Sequence, residues 1–219
     1  MIKAMIFDMD GTVLNTIDSI AHWGNLALNK YGLPSIDTET YKILVGNGAR
    51  TLVERMIKTV GADESKTDAV FAEYSSTYDA DFLYLTKPYD GVLEMMDALI
   101  EMGVQCAILT NKPQETAEKI SKELFGDRIS LLIGGRPDKP LKPDPSLVPE
   151  MLETMGVKAE ECLSAGDTAT DMLTGTQAGL FTIGVLWGFR SREELEQSGA
   201  DLLVTDAQEI ADYIAKQNK

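Results

Sequence analysis

Apolar residues along the chain fall into three stretches that differ in spacing. The first is a short continuous run, residues 5–7, which predicts a buried strand because it is apolar throughout and ends at polar residues. Between about residues 15 and 85 the apolar positions follow helical spacing, with no convincing strand among them. From residue 86 onward, short apolar runs alternate with helical stripes. The pattern therefore predicts one strand, a helical insertion and an alternating region of strands and helices.

The alternating region determines the predicted fold class. Predicted strands cover residues 104–109, 131–133, 162–165, 181–185 and 202–204, and predicted helices cover 92–102, 114–124, 147–155 and 169–178, with two more beginning near Ser191 and Asp206. Continuous apolar strands separated by helices are typical of a parallel sheet covered on both faces. We therefore predict an α/β fold with a doubly wound parallel-sheet core formed by residues 1–14 and 86–219. Residues 15–85 are predicted to form a small inserted α-helical cap domain.

Composition narrows the classes of partner. The chain has 219 residues, of which 44% are hydrophobic and 25% charged, as in ordinary globular proteins. Its formal net charge of −15 opposes attraction to nucleic acids and anionic membranes, so we predict neither as a partner. The sequence has no apolar run of about 18 residues and no signal sequence, which favours a cytoplasmic protein. An anionic substrate would need local compensation by a metal, a lysine or backbone amides.

Histidine and cysteine are too scarce for several kinds of site. The single histidine, His22, lies in a helical pattern far from the acidic residues near the first strand, so a Ser–His mechanism or a His-rich zinc site lacks its parts. The two cysteines, Cys106 and Cys162, each fall in an apolar run and are predicted to be buried thiols.

Two acidic residues follow the first predicted strand. Asp8 and Asp10 are two positions apart and precede Gly11 and Thr12. Such a pair can bind a hard cation such as Mg²⁺ through oxygen, while one carboxylate stays free to attack or to carry protons. The alternative is a turn with solubilising acids, since Asp and Gly are common turn residues. Doubly wound sheets bind ligands beyond the carboxyl ends of their strands, which favours the first interpretation.

Polar residues also follow two later strands. Thr110 and Asn111 offer a hydroxyl and an amide just before a predicted helix, which suits the peripheral oxygens of a phosphate. Asp167 and Asp171 lie four residues apart at the start of another helix and could complete a metal site with Asp8. For these four residues, helix capping is the alternative interpretation.

A proline-rich loop carries one further candidate. Lys142 lies in residues 139–145, which contain three prolines. Prolines restrict the backbone, so the loop is suited to aiming one ammonium group at a fixed place. A solvated lysine in a rigid linker is the alternative.

The four stretches together resemble the four motifs of the haloacid dehalogenase superfamily. The matches are residues 8–12, Thr110 with Asn111, Lys142 in Lys-Pro-Asp-Pro, and residues 166–171, in the family's order and across essentially the whole chain. The insertion at residues 15–85 resembles the α-helical cap of the phosphoglycolate phosphatase-like branch. Within it, residues 45–50 are similar to the glycine-containing cap loop of that branch.

The resemblance implies a role for each matching residue. Asp8 would be the nucleophile that forms an aspartyl-phosphate. Asp10 would protonate the leaving alcohol and then activate water. Thr110, Asn111 and Lys142 would hold the phosphoryl oxygens, with Lys142 also neutralising charge during catalysis.

The resemblance also implies a metal site. Mg²⁺ would be held by Asp8, the backbone carbonyl of Asp10 and Asp167, with Asp171 as a further acid. The physical chemistry agrees, because a carboxylate and a phosphoryl group approach each other closely only if cations neutralise their charge.

These expectations combine into one predicted activity. An acid at position 10 is found, as the family is known, in phosphatases and phosphomutases but not in the dehalogenase and phosphonatase branches. We therefore predict a Mg²⁺-dependent phosphatase of a small phosphorylated metabolite, phosphoglycolate or a similar phosphomonoester, acting through an aspartyl-phosphate. The alternatives are a β-phosphoglucomutase-like phosphotransferase and a non-catalytic phosphate-binding protein on the same fold.

Two residues of the insertion extend this prediction. Arg50 follows Gly46-Asn47-Gly48, and we predict that it contacts a substrate carboxylate. Asn15 stands where these phosphatases often have Asp, which concerns the hinge to the cap more than the chemistry. A monomer or a small homo-oligomer is expected, and the sequence does not decide between them.

Overall fold

The computed structural model describes residues 1–219 and contains a six-stranded sheet, a two-stranded sheet and ten α-helices. The strands are β1 Ala4–Phe7, β2 Leu14–Asn15, β3 Lys87–Pro88, β4 Gln105–Pro113, β5 Ile129–Gly135, β6 Cys162–Gly166, β7 Phe181–Val185 and β8 Leu202–Val204. The helices are α1 Ile17–Lys30, α2 Thr38–Leu44, α3 Ala49–Thr59, α4 Thr67–Ala80, α5 Val92–Glu101, α6 Gln114–Phe125, α7 Leu147–Met155, α8 Ala169–Gln177, α9 Arg192–Gln197 and α10 Gln208–Gln217. None of these helices combines the length and the apolar character needed to cross a membrane.

The large sheet is parallel throughout, with the strand order β5-β4-β1-β6-β7-β8. β1 lies inside it, where Phe7 is level with Ile108 of β4 on one side and Ala165 of β6 on the other. The chain continues from β1 to β4 and β5, and then returns to β6 on the opposite side. Strand order therefore reverses next to β1, at the place where doubly wound sheets bind ligands. The predicted fold class is confirmed.

Both faces of the sheet are covered, as the continuous apolar strands predict. Along β1, Met5 and Phe7 belong to the larger hydrophobic cluster, whereas Ala4 and Ile6 belong to the smaller one. The larger cluster includes residues of α5, α6 and α10, and the smaller includes residues of α7. Successive side chains of a strand point to opposite faces, so β1 is held from both sides and its end is a fixed point for the residues that follow.

Helices α1 to α4 lie between β2 and β3, so the chain leaves the sheet once and returns once. Leu14 and Asn15 of β2 pair antiparallel with Pro88 and Lys87 of β3, and the two connections run side by side. The hydrophobic pattern does not predict this pair, because two residues are too few to show an alternation. The assignment of residues 15–85 to a separate cap domain stays a prediction.

The strands that lead to the site are longer than the apolar pattern indicates. β4 was expected to end at residue 109 but reaches Pro113, and β5 extends from Ile129 to Gly135 rather than over 131–133. Polar residues continue the extended backbone beyond the apolar run. At Gly134 a Cβ atom would lie 2.7 Å from the Cα of Gln114, so only glycine lets β5 pass the start of α6 this closely.

The two final helices begin near the predicted capping residues. The Ser191 hydroxyl accepts a hydrogen bond from the Glu194 amide at 3.3 Å at the start of α9. Asp206 and Glu209 exchange two hydrogen bonds, of 3.2 and 3.3 Å, ahead of α10. The single contact at α9 and the reciprocal pair at α10 satisfy amides that a helix itself leaves unpaired.

Candidate active site

The strand ends and the inserted helices enclose one cavity of about 370 Å³. From the sheet side it is lined by Asp8 and Asp10 after β1, by Thr110 and Asn111 of β4, and by Lys142. Residues of α1, α3 and α4 line the opposite side. The candidate residues of three distant segments are therefore brought to one edge of the sheet, as the ligand-binding rule for parallel sheets predicts.

Three aspartates form a buried cluster beside this cavity. Ligand atoms of Asp8, Asp167 and Asp171 all lie within 4.8 Å of one another. Asp167 has no exposed surface, and its two oxygens accept hydrogen bonds from the Thr12 hydroxyl at 3.0 Å and the Phe189 amide at 2.9 Å. The carboxylate of Asp167 is therefore fixed in orientation.

Glycines make room for this cluster. A Cβ atom at Gly188 would lie 2.2 Å from the Cβ of Asp167, and one at Gly11 would lie 2.3 Å from its Oδ2. Gly11 also has a φ of +87°, which residues with a side chain rarely adopt. The glycine after Asp10 is therefore required twice, for the turn and for the approach of Asp167.

Lys142 lies between the acids. Its Nζ is 2.8 Å from Asp8 Oδ1 and 2.6 Å from Asp171 Oδ1, and the residue is 6% exposed. Asn111 holds the backbone of Lys142, with Oδ1 accepting from the Lys142 amide at 2.8 Å and Nδ2 donating to its carbonyl at 3.0 Å. The loop thus aims one ammonium group at the acid cluster, which excludes a solvated lysine.

Burial and mutual repulsion control the charges of these groups. Burial raises the pKa of Asp8 to about 7, although the Lys142 ammonium opposes the shift. Burial, together with the charges of Asp171 and Asp8, also raises the pKa of Asp167 well above its ordinary value. For Lys142, burial alone would lower the pKa, but the neighbouring acids outweigh burial and raise it. Lys142 therefore stays charged, while Asp8 and Asp167 hold protons more tightly than free aspartates do.

The cluster fits a hard divalent cation. All three side chains offer carboxylate oxygens, the ligands that Mg²⁺ prefers in proteins, and they converge within 4.8 Å. With all three ionised, Lys142 offsets one of three negative charges. A further cation would relieve the repulsion that raises the pKa of Asp167.

Asp171 has two roles in this arrangement. Its Oδ2 accepts hydrogen bonds from the amide and hydroxyl of Thr168, at 3.0 and 2.7 Å, and so caps α8. Its Oδ1 contacts Lys142. Asp171 therefore caps a helix and also belongs to the acid cluster, so the two interpretations do not exclude each other.

Asp10 faces the cavity and is paired with a lysine that the motif comparison did not include. Lys112 Nζ donates to the two carboxylate oxygens of Asp10 at 3.1 and 3.3 Å. The same ammonium donates to the hydroxyl of Tyr78 on α4 at 2.8 Å. Lys112 directly follows Asn111 at the end of β4, so its place in the sequence was a usable signal. Tyr78 offered no such signal, because it belongs to an ordinary helical stripe.

Thr110 and Asn111 of β4 both line the cavity, and their side chains have different partners. The Thr110 hydroxyl lines the cavity and accepts one hydrogen bond, from the Lys112 amide at 3.2 Å. The Asn111 amide group donates to the carbonyls of Lys142 and Gly46, at 3.0 and 2.9 Å. Both donors of Asn111 are therefore occupied by protein groups, and its side chain connects the Lys142 loop to the segment before α3.

Arg50 is not brought to the site. Its guanidinium lies 2.5 Å from Asp68 and over the ring of Phe71, and its side chain is 51% exposed. Ala49 and Leu52 line the cavity from the same helix, and the helical turn places Arg50 on another face. Arg50 therefore does not line the cavity, and its contact with a substrate carboxylate stays a prediction.

A second unpredicted contact joins the sheet to the inserted helices. Arg190, in the loop after β7, donates to the carbonyls of Lys42 and Val45, the latter at 3.1 Å. These carbonyls belong to the C-terminal end of α2, where the helix itself supplies no donors. No sequence motif marks Arg190, since its partners are backbone atoms of a distant segment.

Comparisons with known proteins agree with this geometry. Residues 5–185 match the family described as haloacid dehalogenase-like hydrolase. A phosphoglycolate phosphatase of Rhodospirillum rubrum is 32% identical, over 98% of this chain and 91% of its own length. An N-acetylmuramic acid 6-phosphate phosphatase of Pseudomonas aeruginosa is 29% identical, over 97% of this chain and 95% of its own.

A solved structure extends the similarity to three dimensions. The crystal structure of a candidate phosphoglycolate phosphatase from Lactobacillus delbrueckii subsp. bulgaricus superposes with a TM-score of 0.90. The two chains are 27% identical, and the match covers 97% of this chain and 98% of the other. Sheet, inserted helices and the cavity between them therefore lie within the matched region.

Proposed function

Because this chain belongs to the haloacid dehalogenase-like hydrolase family, we propose that it is a Mg²⁺-dependent phosphatase acting through an aspartyl-phosphate. Its substrate would be a small phosphomonoester, phosphoglycolate or a similar metabolite. The observation that carries this proposal is the meeting of Asp8, Lys142 and the pair Asp167 and Asp171 beside one cavity.

In the first step, a carboxylate oxygen of Asp8 attacks the phosphorus atom. The bond between phosphorus and the alcohol oxygen breaks, and the alcohol takes a proton from Asp10 as it leaves. Lys142 supports the attack, because its ammonium lies 2.8 Å from Asp8 and offsets negative charge where two anionic groups must meet.

In the second step, water hydrolyses the aspartyl-phosphate. Asp10, now deprotonated, takes a proton from the attacking water, and inorganic phosphate leaves as the Asp8 carboxylate is restored. The same residue thus acts as acid and then as base, and two easier displacements replace one difficult displacement. Asp10 suits both steps because it faces the cavity and is not part of the acid cluster around Lys142.

The proposed Mg²⁺ ligands are Asp8, the backbone carbonyl of Asp10, Asp167 and Asp171. When bound, the ion would neutralise charge on the phosphoryl oxygens and on Asp8. Thr110 and Lys142 would hold phosphoryl oxygens from the sheet side. Asn111 would act at one remove, since its side chain positions the backbone of Lys142.

The inserted helices would close the site from above. Ala49, Leu52, Phe71 and Tyr74 line the cavity, and such a wall keeps bulk water from the intermediate. The start of α3 also faces the cavity, and the first turn of a helix favours negative charge. This supports a leaving group that carries a carboxylate, without a direct contact from Arg50.

A cytoplasmic location also belongs to this proposal. Cys106 and Cys162 are free, buried thiols, a state in keeping with a reducing compartment.

The test is release of inorganic phosphate from a panel of phosphorylated metabolites with Mg²⁺. We expect turnover of small phosphomonoesters by the wild type and a loss of at least about a thousandfold in Asp8→Asn, because removal of an attacking nucleophile costs several orders of magnitude in kcat. Sustained turnover by Asp8→Asn would overturn the nucleophile assignment. Conversion of a sugar phosphate to its isomer without phosphate release would instead identify a phosphomutase.

A further inference from the structure

The ammonium of Lys112 lies between the sheet and the inserted helices. The residue is 8% exposed, and its Nζ donates to Asp10 from below and to Tyr78 of α4 from above. The ammonium also lies 4.5 Å from the centre of the Tyr78 ring, within the range of a cation–π contact. These contacts occupy the ammonium with protein groups on both sides.

Contact with both oxygens of Asp10 has a geometric consequence. At 3.1 and 3.3 Å, the ammonium nearly bisects the carboxylate, so rotation of the group would break one of two charge-assisted hydrogen bonds. Asp10 has a side chain that is 20% exposed toward the cavity, and it has no other ion pair. Lys112 is therefore the charged group that fixes its orientation.

Lys112 remains charged in this environment. Burial alone would lower its pKa, but Asp10 and the Tyr78 hydroxyl outweigh burial and raise it. Tyr78 contributes to keeping Lys112 charged, because the free-energy cost of burying an ammonium rises when it has fewer hydrogen-bond partners. Moving Tyr78 away would open the ammonium to water and loosen the pair with Asp10.

The part of α4 that carries Tyr78 is joined to the sheet domain at a second point. The Thr116 hydroxyl of α6 donates to Asp79 at 2.6 Å, one residue beyond Tyr78. Tyr78 and Asp79, adjacent near the end of α4, thus contact β4 and α6. The position of α4 over the strand ends therefore determines whether Lys112 has its upper partner.

We propose that Lys112 is a positioning residue that orients Asp10 for proton transfer, and that Tyr78 completes this arrangement only when α4 covers the strand ends. This inference rests on the proposed function, since it assigns Lys112 a task in the two steps that Asp10 performs. Proton transfer would then be efficient only in the covered site, where the aspartyl-phosphate is shielded from bulk water.

Substrates with different leaving groups distinguish the orientation of Asp10 by Lys112 from an effect of Lys112 on attack by Asp8 or on folding. An alkyl phosphomonoester needs a proton donor in the first step, whereas para-nitrophenyl phosphate has a stable leaving anion and does not. Both substrates need Asp10 as a base in the second step. A variant with misplaced Asp10 should therefore slow both steps for the alkyl ester but only the second step for the nitrophenyl ester.

The experiment compares Lys112→Met with the wild type on both substrates, using Lys158→Met as a matched control at an exposed lysine. With an alkyl ester we expect kcat to fall about 10- to 100-fold and KM to change less than about threefold. This loss is smaller than the usual contribution of acid–base catalysis, about 10²- to 10⁴-fold, because Asp10 itself remains. With the nitrophenyl ester we expect a rapid release of nearly one nitrophenolate per active site, followed by slow turnover. Lys158→Met should match the wild type.

Tyr78→Phe tests the contact with α4 and covers the case that Lys112→Met does not fold. It removes the hydroxyl but keeps the ring, so we expect the same substrate-dependent pattern with a smaller loss, about 3- to 10-fold in kcat. Tyr41→Phe is the control, because its hydroxyl bonds Asn25 within the inserted helices and does not reach the site. Thermal unfolding of each variant reports whether it is folded.

Two results would overturn the inference. Equal losses on both substrates without a rapid phase would mean that Lys112 acts on the attack by Asp8 or only on folding. Unchanged kinetics in Lys112→Met, with an active wild type, would mean that Asp10 does not need it. A wild type inert toward every phosphomonoester would instead overturn the proposed function, and with it this role.

Discussion

Two buried lysines distinguish the two acids that follow β1. Lys142 pairs with Asp8 within the cluster that includes Asp171, whereas Lys112 pairs with Asp10 beside the cavity. The two carboxylates are close in sequence but have different neighbours, which suits different tasks. Asp8 is held next to the candidate cation site, and Asp10 is held where a leaving group would lie.

The protonation of Asp8 should make stability depend on pH. Burial raises its pKa from the ordinary 3.8 to about 7, so the folded chain binds this proton more tightly than the unfolded chain does. Between these two values the unfolded state has fewer protons, and the free energy of unfolding falls as pH rises. Without divalent cations, we expect Asp8→Asn to lose this slope and to be more stable than the wild type near neutral pH, by about 2 to 4 kcal/mol.

Urea unfolding in a chelator, at about pH 5 and about pH 7.5, measures this effect. The wild type should lose stability between the two values and Asp8→Asn should lose less. Parallel behaviour of the two proteins would show that Asp8 titrates normally in the folded chain.

Adding Mg²⁺ should offset the repulsion among the aspartates of the acid cluster and so stabilise the folded chain. A cation that binds only the folded state stabilises it by about 2.7 kcal/mol at a concentration one hundred times its dissociation constant. We expect a rise in the unfolding temperature of the wild type, and a much smaller rise in Asp167→Asn. Asp138→Asn, at an exposed loop position, is the control and should respond as the wild type does. An equal response of the Asp167 variant would place the cation elsewhere.

Most candidate site residues are predictable from the sequence because they follow strands in chain order. Asp8, Asp10, Lys142 and Asp167 were all predicted at the site, and the structure brings them together. Lys112 and Tyr78 were not predicted, because their importance comes from a contact between segments 34 residues apart that no local pattern encodes. Arg50 follows a glycine-containing loop but does not line the cavity, because the helical phase of α3 decides which of its side chains face the cavity.

At the level of secondary structure, Arg190 connects the end of α2 to the loop that follows β7. The Arg190 guanidinium donates to backbone carbonyls of Lys42 and Val45, and its side chain is 15% exposed. Hydrogen bonds from charged donors contribute about 1.5 to 3 kcal/mol each. This contact therefore favours the arrangement in which the inserted helices cover the site.

Arg190→Ala should loosen that cover. We expect KM to rise about 3- to 30-fold with a smaller change in kcat, because substrate binding would have to restore the covered arrangement. Steady-state kinetics measure the split. The matched control is Arg192→Ala, whose side chain is more than half exposed and pairs with Glu196 on the same helix. Equal kinetics of both variants and the wild type would show that Arg190 does not hold α2.

Most elements were predictable, and the exceptions have physical causes. α7 and β7 have the predicted bounds, because their buried apolar residues show a clear helical or continuous pattern that ends where the element ends. β4 was predicted too short because its last residues are polar yet buried, at the point where the strand enters the site. The pairing of β2 with β3 depends on residues far apart in the chain, and two-residue strands leave no periodic trace.

At the scale of the whole molecule, topology explains why these residues meet. The sheet reverses its strand order between β1 and β6, so Asp8 and Asp167 follow adjacent strands although 159 positions separate them. The chain leaves the sheet at β2, shortly after β1, and returns at β3, which pairs with β2. The molecule carries a net charge of −15, and at the site four aspartates also outnumber the two lysines, Lys112 and Lys142. An anionic substrate would therefore need a further cation there.

The central claim is that Asp8 becomes phosphorylated during turnover. Acid quenching of the enzyme within one turnover of a substrate found in the phosphate-release panel, followed by peptide mass spectrometry, tests it directly. If Asp8 is the nucleophile, its peptide should carry one added phosphoryl group that hydroxylamine removes and that is absent in Asp8→Asn. An unmodified peptide in an enzyme caught during turnover, or a phosphoryl group on another residue, would contradict it.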